Sequence, residues 1–179
     1  MFAAIKSYFQ KRALDSLREY VQQNRKRQFT PLDRVKTMLV LYKANSEGDL
    51  SALMSFMASF RIKGIAVDAI AINRHHDEKK QPSVIDGCHL LSYKSIRWNG
   101  VPKNDEILKL LQNSHDYFID LTRLESSLSV YLATASLAKF KIGGVTPALN
   151  PFDFTIETGS NSDIGYFEEQ MVAYLQKLG

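Results

Sequence analysis

Two apolar runs constrain this chain more than anything else in it: Met38-Leu39-Val40-Leu41 and Ile65-Ala66-Val67-Asp68-Ala69-Ile70-Ala71-Ile72, the second interrupted only by Asp68. A strand that is apolar on nearly every residue has no face to offer water. Such strands are covered on both sides, the condition of a parallel sheet whose crossover helices lie on its two faces. The stretch between the runs has helical spacing, through Leu50, Leu53, Met54, Met57, Phe60 and Ile62, so the runs read as two strands of a βαβ unit.

The rest of the chain extends that pattern. Residues 2 to about 24 read as an amphipathic helix through Phe2, Ile5, Phe9, Ala13, Leu17 and Tyr20 or Val21, ended by the stretch RKRQFTPLD. Strands are expected at 36–42, 65–73, 88–92, 117–121, 140–143 and 152–157, and helices at 49–63, 105–112, 124–138 and 163–178. Alternating strands and helices give an open α/β sheet: three-layer, Rossmann-like, mainly parallel, of about five or six strands in the order 3-2-1-4-5-6. Two joints resist this pattern. No helix is evident between the second and third strands, and residues 145–151, with Pro147 and Pro151, are too few for a helical crossover, which leaves an antiparallel sixth strand open.

A length of 179 residues fits one domain, divided here into an amino-terminal helical arm, 1–28, and a single α/β domain, 29–179. One cysteine excludes a disulfide framework. No apolar run reaches the roughly 18–20 residues of a membrane span, and charges interrupt the amino-terminal apolar stretch where a signal peptide has none; a cytoplasmic protein is expected. The formal charge of +4 is concentrated, with nine Lys or Arg against three acidic residues in the first 36 positions and 14 against 16 in the remainder. Aromatic residues are not interleaved with Arg25-Lys26-Arg27 for base stacking, so nucleic acid is not expected as a partner and the segment reads as a solvated hinge. The first helix is expected to pack on its own domain or on a second copy, giving a homo-oligomer, rather than on a membrane surface.

Ligands of open parallel sheets sit beyond the carboxyl ends of the strands, where strand order reverses. That rule selects Lys43, Asn45, Ser46, Gly48 and Asp49 after the first strand. It also selects Asp120, Thr122, Arg123, Ser126 and Ser127 after the fourth, and Gly143, Gly144 and Thr146 after the fifth. The candidate ligand-binding set is Ser46, Gly48, Asp49, Asp120, Thr122, Arg123 and Ser126, for a small anionic or polyol ligand; the alternative is plain helix capping by the same residue types. Glycine spacing matches neither a Walker loop nor a dinucleotide fingerprint, so no cofactor is expected. His75-His76-Asp77-Glu78, with Cys88 and His89, lacks the spacing of a metal site and reads as a solvated loop. Cys88 reads as a small hydrophobe, and Asp68, if buried, needs a partner unless its strand lies at an edge. No catalytic residue is identified.

The segments Leu91-Ser92-Tyr93, Ile96 to Lys103 (IRWNGVPK), His115 to Leu121 (HDYFIDL) and Leu132 to Gly143 (LATASLAKFKIG) resemble a bacterial family of domains of unknown function whose members also have an amino-terminal and a closing helix. The likeness covers most of the chain and implies one compact α/β domain without assigning a reaction. Gly48, Asp49, Asp120, Leu121, Ile142 and Gly143 look, more weakly, like positions in the amino-terminal half of heptosyltransferase-type glycosyltransferases. The chain leaves no room for the second domain that would hold a sugar nucleotide. A non-catalytic binding or interaction protein is therefore expected, the alternative being a small-molecule enzyme related to the acceptor half of such a transferase.

Overall fold

The computed structural model describes residues 2–73, 86–98, 101–123, 126–145, 150–159, 161 and 163–178, with side chains from residue 11 onward. Helix α1 (Phe2–Asn24) precedes β1 (Thr37–Lys43), α2 (Glu47–Arg61), β2 (Ala66–Asn73), β3 (Cys88–Ser92), α3 (Asp105–Gln112), β4 (Tyr117–Asp120), α4 (Ser127–Ala135), β5 (Phe140–Gly144), β6 (Phe154–Ile156) and α5 (Ile164–Leu178). The strands form one six-stranded sheet in the order β3-β2-β1-β4-β5-β6, and every pairing between them is parallel.

Pleating sorts the strand residues onto two faces. Met38, Val40, Val67, Ala69, Tyr117, Ile119 and Ile142 face one core, closed by Leu53, Phe56, Met57 and Phe60 of α2 and by Phe167, Met171 and Leu175 of α5. Leu39, Leu41, Ile70, Ile72, Leu91 and Phe118 face the other, closed by Ile107 and Leu111 of α3 and Leu128, Leu132 and Ala133 of α4. Val40, Leu41, Ile70 and Ile72 are all buried. Each such side chain contributes about 1.5–3 kcal/mol relative to exposure, which is why these runs dictate a three-layer sandwich. Helix α1 is an outer element lying on α4, with Val21 buried and Leu17 packed against the second core. Ile5 and Phe9, also expected to dock, lie outside the described side chains.

The sixth strand is parallel, with Ile142, Gly143 and Gly144 of β5 opposite Phe154, Thr155 and Ile156. Of the connection between these strands, residues 145 and 150–153 are described. Within it Phe152 is buried on Gly143. A Cβ at Gly143 would lie 2.4 Å from the Phe152 ring, so the aromatic ring takes the place of a side chain.

One local expectation changes and a second is narrowed to one of its two alternatives. Arg25-Lys26-Arg27 is not a solvated hinge as a unit: Arg25 and Arg27 both pair with Asp153, whose side chain is almost fully buried, while Lys26 is exposed. Asp68 is not on an edge strand, because β2 lies between β1 and β3; it is half-buried and faces His115 at 3.9 Å. That imidazole holds its carboxyl below the usual range against the opposing effect of burial.

Candidate functional site

At the carboxyl edge, the residues selected from sequence are brought to the ends of neighbouring parallel strands, β1 and β4. Most of their hydrogen-bonding groups are used within a few residues of chain. Ser46 Oγ accepts the Asp49 N–H at 3.1 Å, and Asp49 Oδ2 accepts the N–H groups of Ser46 and Asn45 at 2.9 and 2.8 Å. This is a reciprocal capping box on α2, and it starts the helix two residues earlier than its apolar spacing suggests. Gly48 is exposed in its first turn. Ser126 caps α4 in the same manner with Ser129. Asp120, buried at the end of β4, accepts from the Thr122 N–H at 2.9 Å and from its hydroxyl at 2.7 Å.

Arg123 holds a left-handed backbone, φ 57°, a conformation that costs a side-chain-bearing residue on the order of 1 kcal/mol. From it the guanidinium crosses to Thr158 Oγ1 at 2.8 Å and to the carbonyl of Asn161. The space between these groups is about 30 Å³, lined by Tyr42, Asp120, Arg123, Thr158, Asp163 and Phe167 among others. That is the size of a water molecule. Burial, then the carboxylates of Asp49 and Asp163, push the Tyr42 phenol up. Thr146 and the His75 to Glu78 string lie outside the described residues. Cys88 packs half-buried against the core, and burial pushes its thiol up despite Arg61 nearby. No group of three metal-ligating side chains occurs among the described residues.

A larger space lies on the α4 face of the sheet, beneath α1. It measures about 510 Å³ and is lined by Asp15, Arg18, Glu19, Val21, Gln22, Arg25 and Arg27 of the arm, Thr134 of α4, Lys141 of β5, and Asn150 and Pro151 before β6. Ligand cavities commonly measure about 300–1,000 Å³. The groove follows from how the arm is tied down. Arg25 gives Nε–H to the Ala138 carbonyl at 2.6 Å, Nη2–H to that of Lys139 at 3.1 Å, and both Nη groups to Asp153. Asp153 also pairs with Arg27 at 2.6 Å and accepts the Lys141 N–H at 2.8 Å. Gln28 N–H donates to the Lys139 carbonyl at 3.0 Å, and Phe29 meets Phe140 edge-on.

At the inner end of the groove, Lys141 is buried with 1% of its surface exposed. It occupies an inward position of β5, opposite Phe118. Its ammonium donates to the carbonyls of Ala133 and Thr134 at 2.8 and 3.0 Å, groups left over at the carboxyl end of α4 where the helix dipole favours a cation. Desolvation, then the Arg25 charge, lower its pKa to about 7, with Asp153 acting in the opposite direction. Thr134 is buried as well, and its hydroxyl has no hydrogen-bond partner among the described residues. A buried polar atom left so is uncommon and calls for an explanation.

The sequence reading did not select Lys141, Thr134 or Asp153, and it took Arg25 for part of a solvated hinge. The signal for Lys141 was available: a lysine inside Phe-Lys-Ile-Gly-Gly, a strand covered on both faces, has to point into the sandwich and find partners there. Nothing in the sequence pattern brings Arg25 to Asp153, which are separated by 128 positions.

No curated protein and no solved structure matches the chain, and the weaker likeness to glycosyltransferases gains no support. No helix among the described residues is long and apolar enough to cross a membrane. The family model that does match spans residues 6–178, nearly all of the fold including the arm and its groove, and by that match the chain belongs to DUF6913, a family of unknown function.

Proposed function

We propose that this chain is a non-catalytic binding protein of the reducing cytosol whose ligand, a small anion, sits in the groove between α1, α4 and β5. The observation that carries this reading is the pair of buried polar groups that line it, Lys141 and the Thr134 hydroxyl, the latter unpartnered among the described residues. Around them stand Arg18, Arg25, Arg27 and Lys141 against Asp15 and Glu19 and against Asp153, which pairs with Arg25 and Arg27 as Asp15 does with Arg18, a small positive balance in a concave space that strengthens attraction for anions. The carboxyl-edge crevice supports binding less well. A hydroxyl-rich ligand at Asp120 and Arg123, as in the transferase-like alternative, has about 30 Å³ to enter and must displace Arg123 from Thr158 and Asn161.

Thermal denaturation with inorganic phosphate, pyrophosphate and citrate tests the placement, because a ligand of the folded state raises the melting temperature by mass action. A saturable rise is expected in the wild type and in Arg123→Ala, and a reduced one in Arg27→Ala, whose side chain is largely exposed. No rise with any of the three, or a rise lost in Arg123→Ala and kept in Arg27→Ala, would overturn the groove as the site.

A further inference from the structure

We infer that the groove holds its ligand covalently and reversibly: Lys141 is a nucleophilic amine that forms an imine with an aldehyde or ketone carrying an anionic group. This deepens the groove reading and rests on it. Two of the three directions around Nζ are taken by the carbonyls of Ala133 and Thr134. When the ammonium loses its remaining proton, the two N–H groups stay bonded to those acceptors and the lone pair occupies the third direction. Both carbonyls come from the end of α4, a rigid element, so the amine is oriented before any ligand arrives.

Desolvation beside a second cation is the combination that leaves a lysine neutral and reactive near neutral pH. Both parts are present in the burial of Lys141 and the neighbouring Arg25. The Thr134 hydroxyl, sealed from solvent and unpartnered among the described residues, becomes a donor for the ligand's oxygen once the ligand displaces the packing over it. Arg18 and Arg27, on the arm side of the same groove and paired there with Asp15 and Asp153, provide positive charge for the anionic group, which shares them with those carboxylates.

The chemistry balances without a further reagent. The amine nitrogen bonds to the carbonyl carbon, the carbonyl π electrons go to oxygen, and a proton moves from nitrogen to that oxygen to give a carbinolamine. The carbinolamine hydroxyl then leaves as water, taking up a proton, as the nitrogen lone pair forms C=N and the nitrogen gives up its remaining proton. Amine and carbonyl compound become imine and one water, with no change of oxidation state.

Glyoxylate, which carries an aldehyde next to a carboxylate, is the probe. The full-length protein is incubated with glyoxylate and cyanoborohydride, which reduces an imine to a stable secondary amine, and the adducts are located by peptide mass mapping. At pH 7.5 an ordinary lysine is neutral in roughly one molecule per thousand, so adduct at Lys141 is expected to exceed that at exposed Lys26 by at least about tenfold. Its rate should reach half its maximum near pH 7 and fall when phosphate competes. Lys141→Arg and Lys141→Met are expected to lose the adduct; mapping of the wild type decides the question even if both variants fail to fold. Labelling confined to exposed lysines overturns the imine. If phosphate still raises the melting temperature in that case, the groove remains an anion site without covalent capture. If Lys141 is labelled while phosphate neither competes nor stabilises, the imine stands and the anionic preference falls.

Discussion

The helix starts and the arm of this protein use polar residues in opposite ways, while Arg123 at the carboxyl edge makes a long-range pair of its own with Thr158 and Asn161. At the carboxyl edge, Ser46 and Asp49 bond each other across three residues, Ser126 and Ser129 do the same, and Asp120 bonds Thr122 two residues on. Beneath the arm, Arg25 reaches Asp153, and Lys141 reaches the end of α4. At the opposite edge Asp116 accepts the N–H groups of Lys36 and Thr37 at 2.8 and 3.1 Å and the Lys139 ammonium at 2.8 Å. Local pairs start helices and are satisfied wherever the helix goes. Long-range pairs hold separate segments together and are satisfied only in the complete fold, so the arm is tied into the sheet by charges and the helix starts are not.

The largest difference is expected from Asp153→Ala. The carboxylate is nearly buried and serves two guanidinium groups and a backbone N–H. Its removal leaves Arg25 without its counter-charge in a site where the Arg25 side chain is only 8% exposed. Breaking a buried pair from one side costs about 3–5 kcal/mol. Urea denaturation should show that loss. A cost below that of removing a helix cap would mean that the arm is not held by this cluster, and the contrast between the arm and the helix starts would fail.

What the sequence revealed and what it hid divides along the same line. The apolar runs at 38–41 and 65–72 dictated a parallel sheet covered on both faces, because burial pattern is a local property with a fixed period. The strand order followed from connection rules that also work along the chain. The carboxyl-edge residues could be selected in advance for the same reason: Ser46 and Ser126 stand just ahead of helical spacing. The groove could not. It depends on Arg25, Thr134, Lys141 and Asn150 meeting from four separate segments, and no spacing records such a meeting. The parallel sixth strand was equally hidden, since Phe152 filling the place over Gly143 is a contact between a loop and a strand.

A middle-sized effect is expected from Lys141→Met, and it carries a pH signature. The folded amine titrates near 7, against about 10.4 for an unfolded lysine. Between those values the unfolded chain binds more protons at this group, so its contribution to stability rises with pH; below about 7 both states are protonated and the contribution is flat. The stability of wild type minus that of Lys141→Met should therefore become more favourable to wild type from pH 7 to pH 9, by about 2 kcal/mol. Tyrosines that burial pushes up, such as Tyr117, act above pH 10 and are common to both proteins. Denaturation curves at the two pH values measure this signed difference directly, and a difference that stays constant or shifts in favour of Lys141→Met contradicts a desolvated amine at this position.

The smallest effects are expected at the caps. Ser46→Ala removes the acceptor for the Asp49 N–H, and Ser126→Ala removes that for Ser129. The exposed α2 terminus lets water replace the lost hydroxyl, so Ser46→Ala should cost about 0.5–1 kcal/mol. Ser126 is half-buried and Ser129 is buried. Water has poorer access there, and the unpaired N–H bears more of its desolvation cost, so Ser126→Ala should lie nearer about 2 kcal/mol. The order of the two matters more than either value. If Ser126→Ala proves the milder change, the α4 terminus is wetter than its burial implies and offers a ligand free N–H groups. Phosphate should then stabilise Ser126→Ala more than wild type, and the carboxyl-edge crevice would replace the groove as the place to look for an anion.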